Sequence, residues 1–269
     1  MIKGSTRIFA VLGAPVAHSL SPVMHNAALR VLGINAVYVA LPCADDAVAS
    51  VIRALTAAGG GGSVTRPHKQ RAAAAVIQPT ELVRTLDACN TFWNANGAIA
   101  GDNTDVPGVL HAVGIVGGGR VWAVTGTGAS ARAVVEAARE AGVAVAIHSR
   151  SEARRASFVE WMRSRGVPRA ALPEAEVLIN ATPLGWNDAD PLPFEGETSE
   201  RTRAAVDMVY RPGQTRWIQA MRDRGLLAAD GREMLLGQGV AAFARWFPET
   251  MAPMEVMRAA VEQALHPPA

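Results

Sequence analysis

Between an apolar, β-rich run at Arg120 to Thr125 and a helical pattern at Arg132 to Ala141 stands the segment Gly126-Thr127-Gly128-Ala129-Ser130-Ala131. Two glycines one residue apart, with a small residue three further on, let a backbone turn tightly and approach a diphosphate. The N-terminus of the following helix offers free N–H groups and the positive end of its dipole. A strand, such a turn and a helix in succession form one βα unit, and units of this kind bury their apolar faces by stacking on a parallel sheet. The chain is therefore expected to be α/β, with a doubly wound sheet in at least part of it. Gly126, Thr127, Gly128, Ala129 and Ser130 are candidates for holding a dinucleotide. The competing reading is that these small residues only let a helix lie close on a strand.

The same rhythm continues beyond this turn. Strands are predicted at Val143 to Ile147, Val177 to Ala181 and Ala205 to Val209, and Gly142 closes the intervening helix. About 20 residues past a phosphate turn, an acidic side chain would take the ribose 2′-hydroxyl of NAD. Here the chain reads His148-Ser149-Arg150-Ser151, with Arg154 and Arg155 following. Guanidinium groups suit a 2′-phosphate, so NADP is expected, with Ser149, Arg150, Ser151 and Arg154 around that phosphate. The alternative is the solvated start of an arginine-rich helix. Gly117-Gly118-Gly119 marks the start of this unit, or else a simple turn.

The first hundred residues alternate in the same way. Arg7 to Leu12 reads as a strand, and Gly13 and Pro15 interrupt a segment that otherwise imitates a signal peptide. Ser21-Pro22 reads as an N-cap and first helical proline, with Leu20, Met24, Ala27 and Val31 recurring at helical spacing until Gly33. A strand at Ala36 to Leu41, a helix at Asp45 to Ala58 and a strand at Ser63 to Thr65 follow. Asn96-Gly97 predicts a hairpin between Thr91 to Asn94 and Ala98 to Gly101. From Gly231 onward the pattern is helical. Leu235, Gly239, Ala242 and Trp246 share one face, and Met257, Val261 and Leu265 share a face of a helix after Pro253.

Composition sets outer limits. A chain of 269 residues has room for about two domains, and 49% hydrophobic with 19% charged residues excludes disordered, collagen-like and coiled-coil classes. No apolar run approaches the roughly 18 to 20 residues that cross a bilayer, so no membrane partner is expected. Cys43 and Cys89 lack CxxC spacing and the six histidines contain no HExxH pair, so no metal is expected and a reducing cytoplasm fits. A net charge of +2 suits small anionic ligands and gives no basis for nucleic acid. Of 26 basic residues only Lys3 and Lys69 are lysine, so Lys69, within the body of the fold, stands where arginine is this chain's habit. Guanidinium keeps its proton in proteins, whereas an ammonium can give it up.

Three further segments carry chemistry. His18-Ser19-Leu20-Ser21-Pro22 puts two hydroxyls at a helix N-terminus, where they can hold a carboxylate or merely cap the helix. Ser63-Val64-Thr65-Arg66-Pro67-His68-Lys69 puts an amine one turn past a strand, and Gly101-Asp102-Asn103-Thr104-Asp105 puts a carboxylate in a loop past another. With Asn90-Thr91, Asn180-Ala181-Thr182-Pro183 and Gln238, these motifs run in order along nearly the whole chain, and together they resemble the shikimate dehydrogenase family.

The resemblance implies reversible NADPH-linked reduction of 3-dehydroshikimate to shikimate, a step of aromatic amino acid biosynthesis. It implies Lys69 and Asp105 as the catalytic pair, with Ser19, Ser21, Thr65, Asn90, Tyr210 and Gln238 around a cyclic hydroxy acid, and it adds Asn180, Thr182 and Met208 to the cofactor side. The implied fold is an α/β substrate domain of residues 1–105 and 238–269 and a Rossmann-like domain of residues 106–237, with the active site in the cleft between them. Ser63, Ala129, Ser149 and Trp186 depart from the family pattern, which uses Asn, Gly, Asn and Met there. These departures leave the pair intact and keep quinate or an amino-substituted analogue as alternative substrates. A nucleotide-responsive regulatory protein on the same fold is the alternative outside enzymology. Nothing in the sequence specifies an oligomer.

Overall fold

Two separate sheets organise the computed structural model, which describes residues 2–194 and 199–266. The chain divides into two compact units: Met1–Thr104 with Gln238–Ala269, and Asp105–Gly237.

In the first unit the order is β1 (Arg7–Gly13), α1 (Ser21–Val31), β2 (Ala36–Pro42), α2 (Val48–Ala57), β3 (Gly61–Val64), α3 (Lys69–Ala75), β4 (Gln78–Pro79), α4 (Glu81–Leu86), β5 (Thr91–Ala95) and β6 (Ala98–Asp102). The strands form one mixed sheet in the order β2-β1-β3-β5-β6-β4, in which β5 runs antiparallel to β3 and β6 and the other neighbours pair in parallel. Asn96 and Gly97 take φ of +54° and +88°, the left-handed pair of a tight hairpin, and the Asn94 side chain accepts the Gly97 N–H at 2.9 Å. Ala10, Leu12, Ile52, Val64 and Phe92 close the core on one side. Phe9, Tyr38 and Trp246 pack together through their rings elsewhere in the unit.

The second unit begins with α5 (Asp105–Ile115) and continues β7 (Val121–Thr125), α6 (Ala129–Ala141), β8 (Ala144–His148), α7 (Glu152–Ser164), β9 (Val177–Asn180), β10 (Ala204–Asp207), α8 (Arg216–Asp223) and β11 (Leu227–Ala229). Its five strands are all parallel, in the order β11-β10-β9-β7-β8. The sheet therefore grows in one direction from β7 to β8 and in the other from β7 to β9. That reversal is the topological switch point, where open α/β sheets leave a crevice at the carboxyl ends of their strands. The chain returns through α9 (Gly231–Trp246), which crosses the boundary at Gln238, and ends in α10 (Met254–Leu265). Leu235, Ala242 and Trp246, and then Met257, Val261 and Leu265, are buried as their spacing predicted.

Several local expectations change. Ser21 is the first residue of α1 and Leu20 its N-cap, with no side-chain cap; the Ser21 N–H instead reaches the Ser19 hydroxyl at 3.3 Å. The segment from Asp45 begins as a 3₁₀ turn, Asp45–Ala47, before α2. The helix after the phosphate turn starts at Ala129, not Arg132. The glycine run at 117–119 is a turn inside the second unit, closed by Gly117 N–H on Gly114 and Gly118 N–H on Val113. Asp105 opens a helix and does not sit in a loop.

Candidate functional site

In the second unit, the Gly126 N–H donates to the His148 carbonyl at 3.2 Å and Gly126 holds φ of +108°. A Cβ there would lie 3.0 Å from both the Ala181 carbonyl oxygen and Thr182 Cγ2, so the turn after β7 runs directly against the loop after β9. Gly128 is the N-cap of α6 and supplies no side-chain cap, and the place its Cβ would occupy has nothing within 4 Å. The first N–H groups of α6 therefore lie at an open backbone surface at the switch point, with Thr127 and Ser130 partly buried beside exposed Ala129. This arrangement fits a dinucleotide diphosphate.

At the end of β8, Ser149 accepts the Ser151 N–H at 3.3 Å, and Ser151 caps α7 by accepting the Arg154 N–H at 3.4 Å. Arg155 is committed to Glu152 through two hydrogen bonds of 2.9 and 2.7 Å. Arg150 and Arg154 are exposed, and among the described residues their guanidinium groups make no ion pair, which suits a 2′-phosphate. Asn180 ends β9 fully buried, bonded to Thr182, Leu184 and Asp207. Its side chain is thus spent inside the protein and shapes the loop that carries Thr182. Met208 and Tyr210 follow β10, both partly buried, with the Met208 N–H on the Asn180 carbonyl at 3.0 Å. Trp186 is 45% exposed in the loop after β9, which Arg211 clasps through Asp188 at 2.6 Å.

In the first unit, strand register brings distant residues to one end of the sheet. The Thr65 N–H donates to the Leu12 carbonyl at 2.8 Å, the Val64 N–H to Asn90 at 2.8 Å and the Asn90 N–H to Asp102 at 3.1 Å. The start of α3 is tied there as well, the Cys89 N–H reaching the Lys69 carbonyl at 2.9 Å. His68 anchors the turn before Lys69: its ring nitrogens meet the Cys43 carbonyl at 2.7 Å and Asp45 at 3.2 Å. Arg71, then His68, hold the Asp45 carboxyl below the usual carboxylate range by donating to it. Lys69 itself is partly exposed. Ser19 is partly exposed and Ser21 buried at the head of α1. Gln238 lies partly buried on α9.

Around Asn90 the side chains are linked by hydrogen bonds. Asn90 Oδ1 accepts the Thr104 N–H at 2.7 Å and the hydroxyls of Thr91 and Thr104 at 3.1 Å each. Asp102 accepts from the Thr80 hydroxyl at 2.6 Å and from Arg245 Nε at 2.7 Å, and Asn103 Nδ2 donates to the Ala88 carbonyl at 2.9 Å. The residue after Thr104 is Asp105, buried at the first position of α5. The structure adds Asp102, Arg245 and Asp207 to the residues that shape these sites. The available signal was a carboxylate ending an apolar strand, as in Ala204-Ala205-Val206-Asp207. Among the described residues no cluster of metal-binding side chains forms, and no helix is long and apolar enough to cross a membrane.

Two α/β units, one with a backbone phosphate turn at the switch point of a parallel sheet, define a protein of the dinucleotide-binding class. Residues 11–92 match the shikimate dehydrogenase substrate binding domain, and residues 231–262 match the shikimate 5′-dehydrogenase C-terminal domain. The chain is 36% identical to the NADP(+) shikimate dehydrogenase of Synechocystis sp., over 97% of this chain and 96% of that one. It is 40% identical to the enzyme of the same name from Rubrobacter xylanophilus, over 91% and 92%. The crystal structure of shikimate 5-dehydrogenase from Thermus thermophilus, in complex with NADP(H) and shikimate, superposes with a TM-score of 0.86 at 36% identity, covering 96% of this chain and 100% of that one. The chain belongs to the shikimate dehydrogenase family.

Proposed function

We propose that this protein interconverts 3-dehydroshikimate and shikimate with NADP, as a step of aromatic amino acid biosynthesis. The observation that carries the reading is near full-length kinship with NADP-dependent shikimate dehydrogenases. The first unit, joined by Asp105 and Tyr210 of the second, takes the ring acid, and the second takes NADP. Ser19 and Ser21 hold the ring carboxylate, while Thr65, Asn90, Tyr210 and Gln238 surround the hydroxyls. Gly126, Thr127, Gly128, Ala129 and Ser130 receive the diphosphate; Arg150 and Arg154, with Ser149 and Ser151, receive the 2′-phosphate; Thr182 and Met208 flank the remainder. When bound, NADPH supplies the hydride. Lys69 and Asp105 hydrogen-bond the reacting oxygen and manage the proton it gains on reduction. Both cysteines are buried and free, in keeping with a reducing cytoplasm.

The test is cofactor turnover, followed by absorbance, with shikimate, quinate and an amino-substituted analogue, each with NADP and NAD. Shikimate with NADP is expected to give the highest kcat/KM. Preference for another ring acid would move the substrate within the class. Tight NADP binding without turnover of any acid would favour the regulatory alternative.

A further inference from the structure

The start of the loop after β9, which lies against the phosphate turn, is organised around one buried amide. Asn180 Nδ2 donates to the Leu184 carbonyl at 2.9 Å and to Asp207 Oδ1 at 2.8 Å, and its Oδ1 accepts the Thr182 N–H at 3.0 Å and the Thr182 hydroxyl at 2.6 Å. The Leu184 N–H returns to the same hydroxyl at 3.2 Å. Both amide hydrogens and both lone pairs are used. Turned end for end, this amide would offer its donors to a backbone N–H and its oxygen to a carbonyl. Asp207 helps to forbid that, because a carboxylate only accepts.

Asp207 is itself fully buried, and it accepts the Val209 N–H at 3.0 Å and the Thr215 hydroxyl at 2.7 Å besides Asn180. Burial pushes its carboxyl up to about 6; Asp230 acts in the same direction and the three donors oppose it. A carboxylate is a costly residue to bury where packing alone is at stake, since a neutral side chain fills the same space without losing the hydration of a charge. The loop it fixes is the one whose Ala181 carbonyl would lie 3.0 Å from a Cβ at Gly126.

We propose that Asp207 is a positioning residue for cofactor binding, which orients the Asn180 amide and so holds residues 181–184 in the conformation on which NADP affinity depends. The role rests on the NADP reading above. Its rival is a purely structural part, bracing α8 through Thr215.

Calorimetric titration of NADP into the parent, Asp207→Ala, Asp207→Asn and Asn180→Ala, with thermal unfolding of each, separates the two. A parent that fails to bind NADP would overturn the functional reading and this role with it. With binding in the parent, Asp207→Ala and Asn180→Ala are expected to weaken NADP about tenfold, the loss of roughly one hydrogen bond's worth of positioning. Asp207→Asn, whose Oδ1 can still accept from Asn180 and Val209, is expected to stay within about threefold of the parent. Ala at 207 within about twofold of the parent, with only its Tm lowered, would overturn the role in favour of bracing. Asn as weak as Ala would also overturn it, by showing that the charge and not the anchored amide matters. Should Asp207→Ala not fold, the near-isosteric Asp207→Asn and Asn180→Ala, which keeps Asp207 on Thr215 and Val209, decide by the same criteria.

Discussion

The two units prepare for their ligands by opposite means. In the first, buried and partly buried side-chain hydrogen bonds fix the candidate residues or the turns that carry them: Asn90 bonds Thr91 and Thr104, Asp102 bonds Thr80 and Arg245, and His68 bonds Cys43 and Asp45. In the second, the phosphate turn is bare backbone, with no side-chain cap on α6, open space at Gly128 and two exposed arginines that make no ion pair among the described residues. The difference follows from what each is proposed to bind. A ring acid is recognised group by group, which requires fixed donors and acceptors, whereas a diphosphate is met by a row of N–H groups and a helix dipole, which requires the absence of side chains. Substitutions at Lys69, Asp105 and the substrate candidates should therefore change turnover and substrate affinity, and those at the phosphate turn and Arg150 should change cofactor affinity.

The sharpest break is expected at Lys69. Lys69→Arg keeps the charge but not the transferable proton, so it should be nearly as damaging as Lys69→Ala, each lowering kcat by about 10² to 10⁴ while the NADP Kd stays near the parent's. Asp105→Asn should fall in the same range without adding to Lys69→Ala, since both residues serve one oxygen. Retained kcat in Lys69→Arg at neutral pH would make Lys69 a charge anchor and move the proton chemistry to Asp105.

Next comes the carboxylate anchor. Because the Ser21 hydroxyl does not cap α1 and the Ser19 hydroxyl takes the Ser21 N–H only at a long 3.3 Å, replacing Ser19 and Ser21 together by Ala should act on the ligand more than on the helix. Each lost bond to a charged group costs about 1.5 to 3 kcal/mol, so KM should rise at least tenfold with Tm little changed. An unchanged kcat/KM in steady-state assays would remove both serines from the site.

On the cofactor side, Arg150→Ala should weaken NADP roughly tenfold to a hundredfold and leave NAD nearly untouched. Equal affinity of the parent for the two cofactors, measured by titration, would defeat the 2′-phosphate assignment. The smallest effect is expected from a pair of glycines. Gly126→Ala, forced to φ of +108° against the Ala181 carbonyl, should lose about 1 to 3 kcal/mol of stability. Gly128→Ala, at φ of −91° with open space, should keep the parent's Tm and weaken NADP alone. Equal loss of Tm in both would mean that the turn is packed and not poised for a ligand.

Much of this organisation could be read from local signals. The phosphate turn, the Asn96-Gly97 hairpin, the Gly142 stop and the buried faces of α9 and α10 each depend on residues within four positions of one another, which is the reach of turn chemistry and helical periodicity. Short helices escaped that reading because α3, α4 and α8 span 7, 6 and 8 residues, too few for a period to show. α5 is apolar on most of its surface and shows no stripe.

Residue types along the chain were enough to name a lysine, a carboxylate, hydroxyls and a phosphate turn in order, and with them the family. Which polar groups are used up inside the protein was decided only by tertiary structure. Asp102 and Arg245, 143 residues apart, meet because α9 returns to the first unit, and Asn180 and Asp207 meet because β9 and β10 pair in register. The physical reason is range: a hydrogen bond depends on a few tenths of an ångström between its partners, and when those partners are far apart in sequence that distance is set by how whole strands and helices pack.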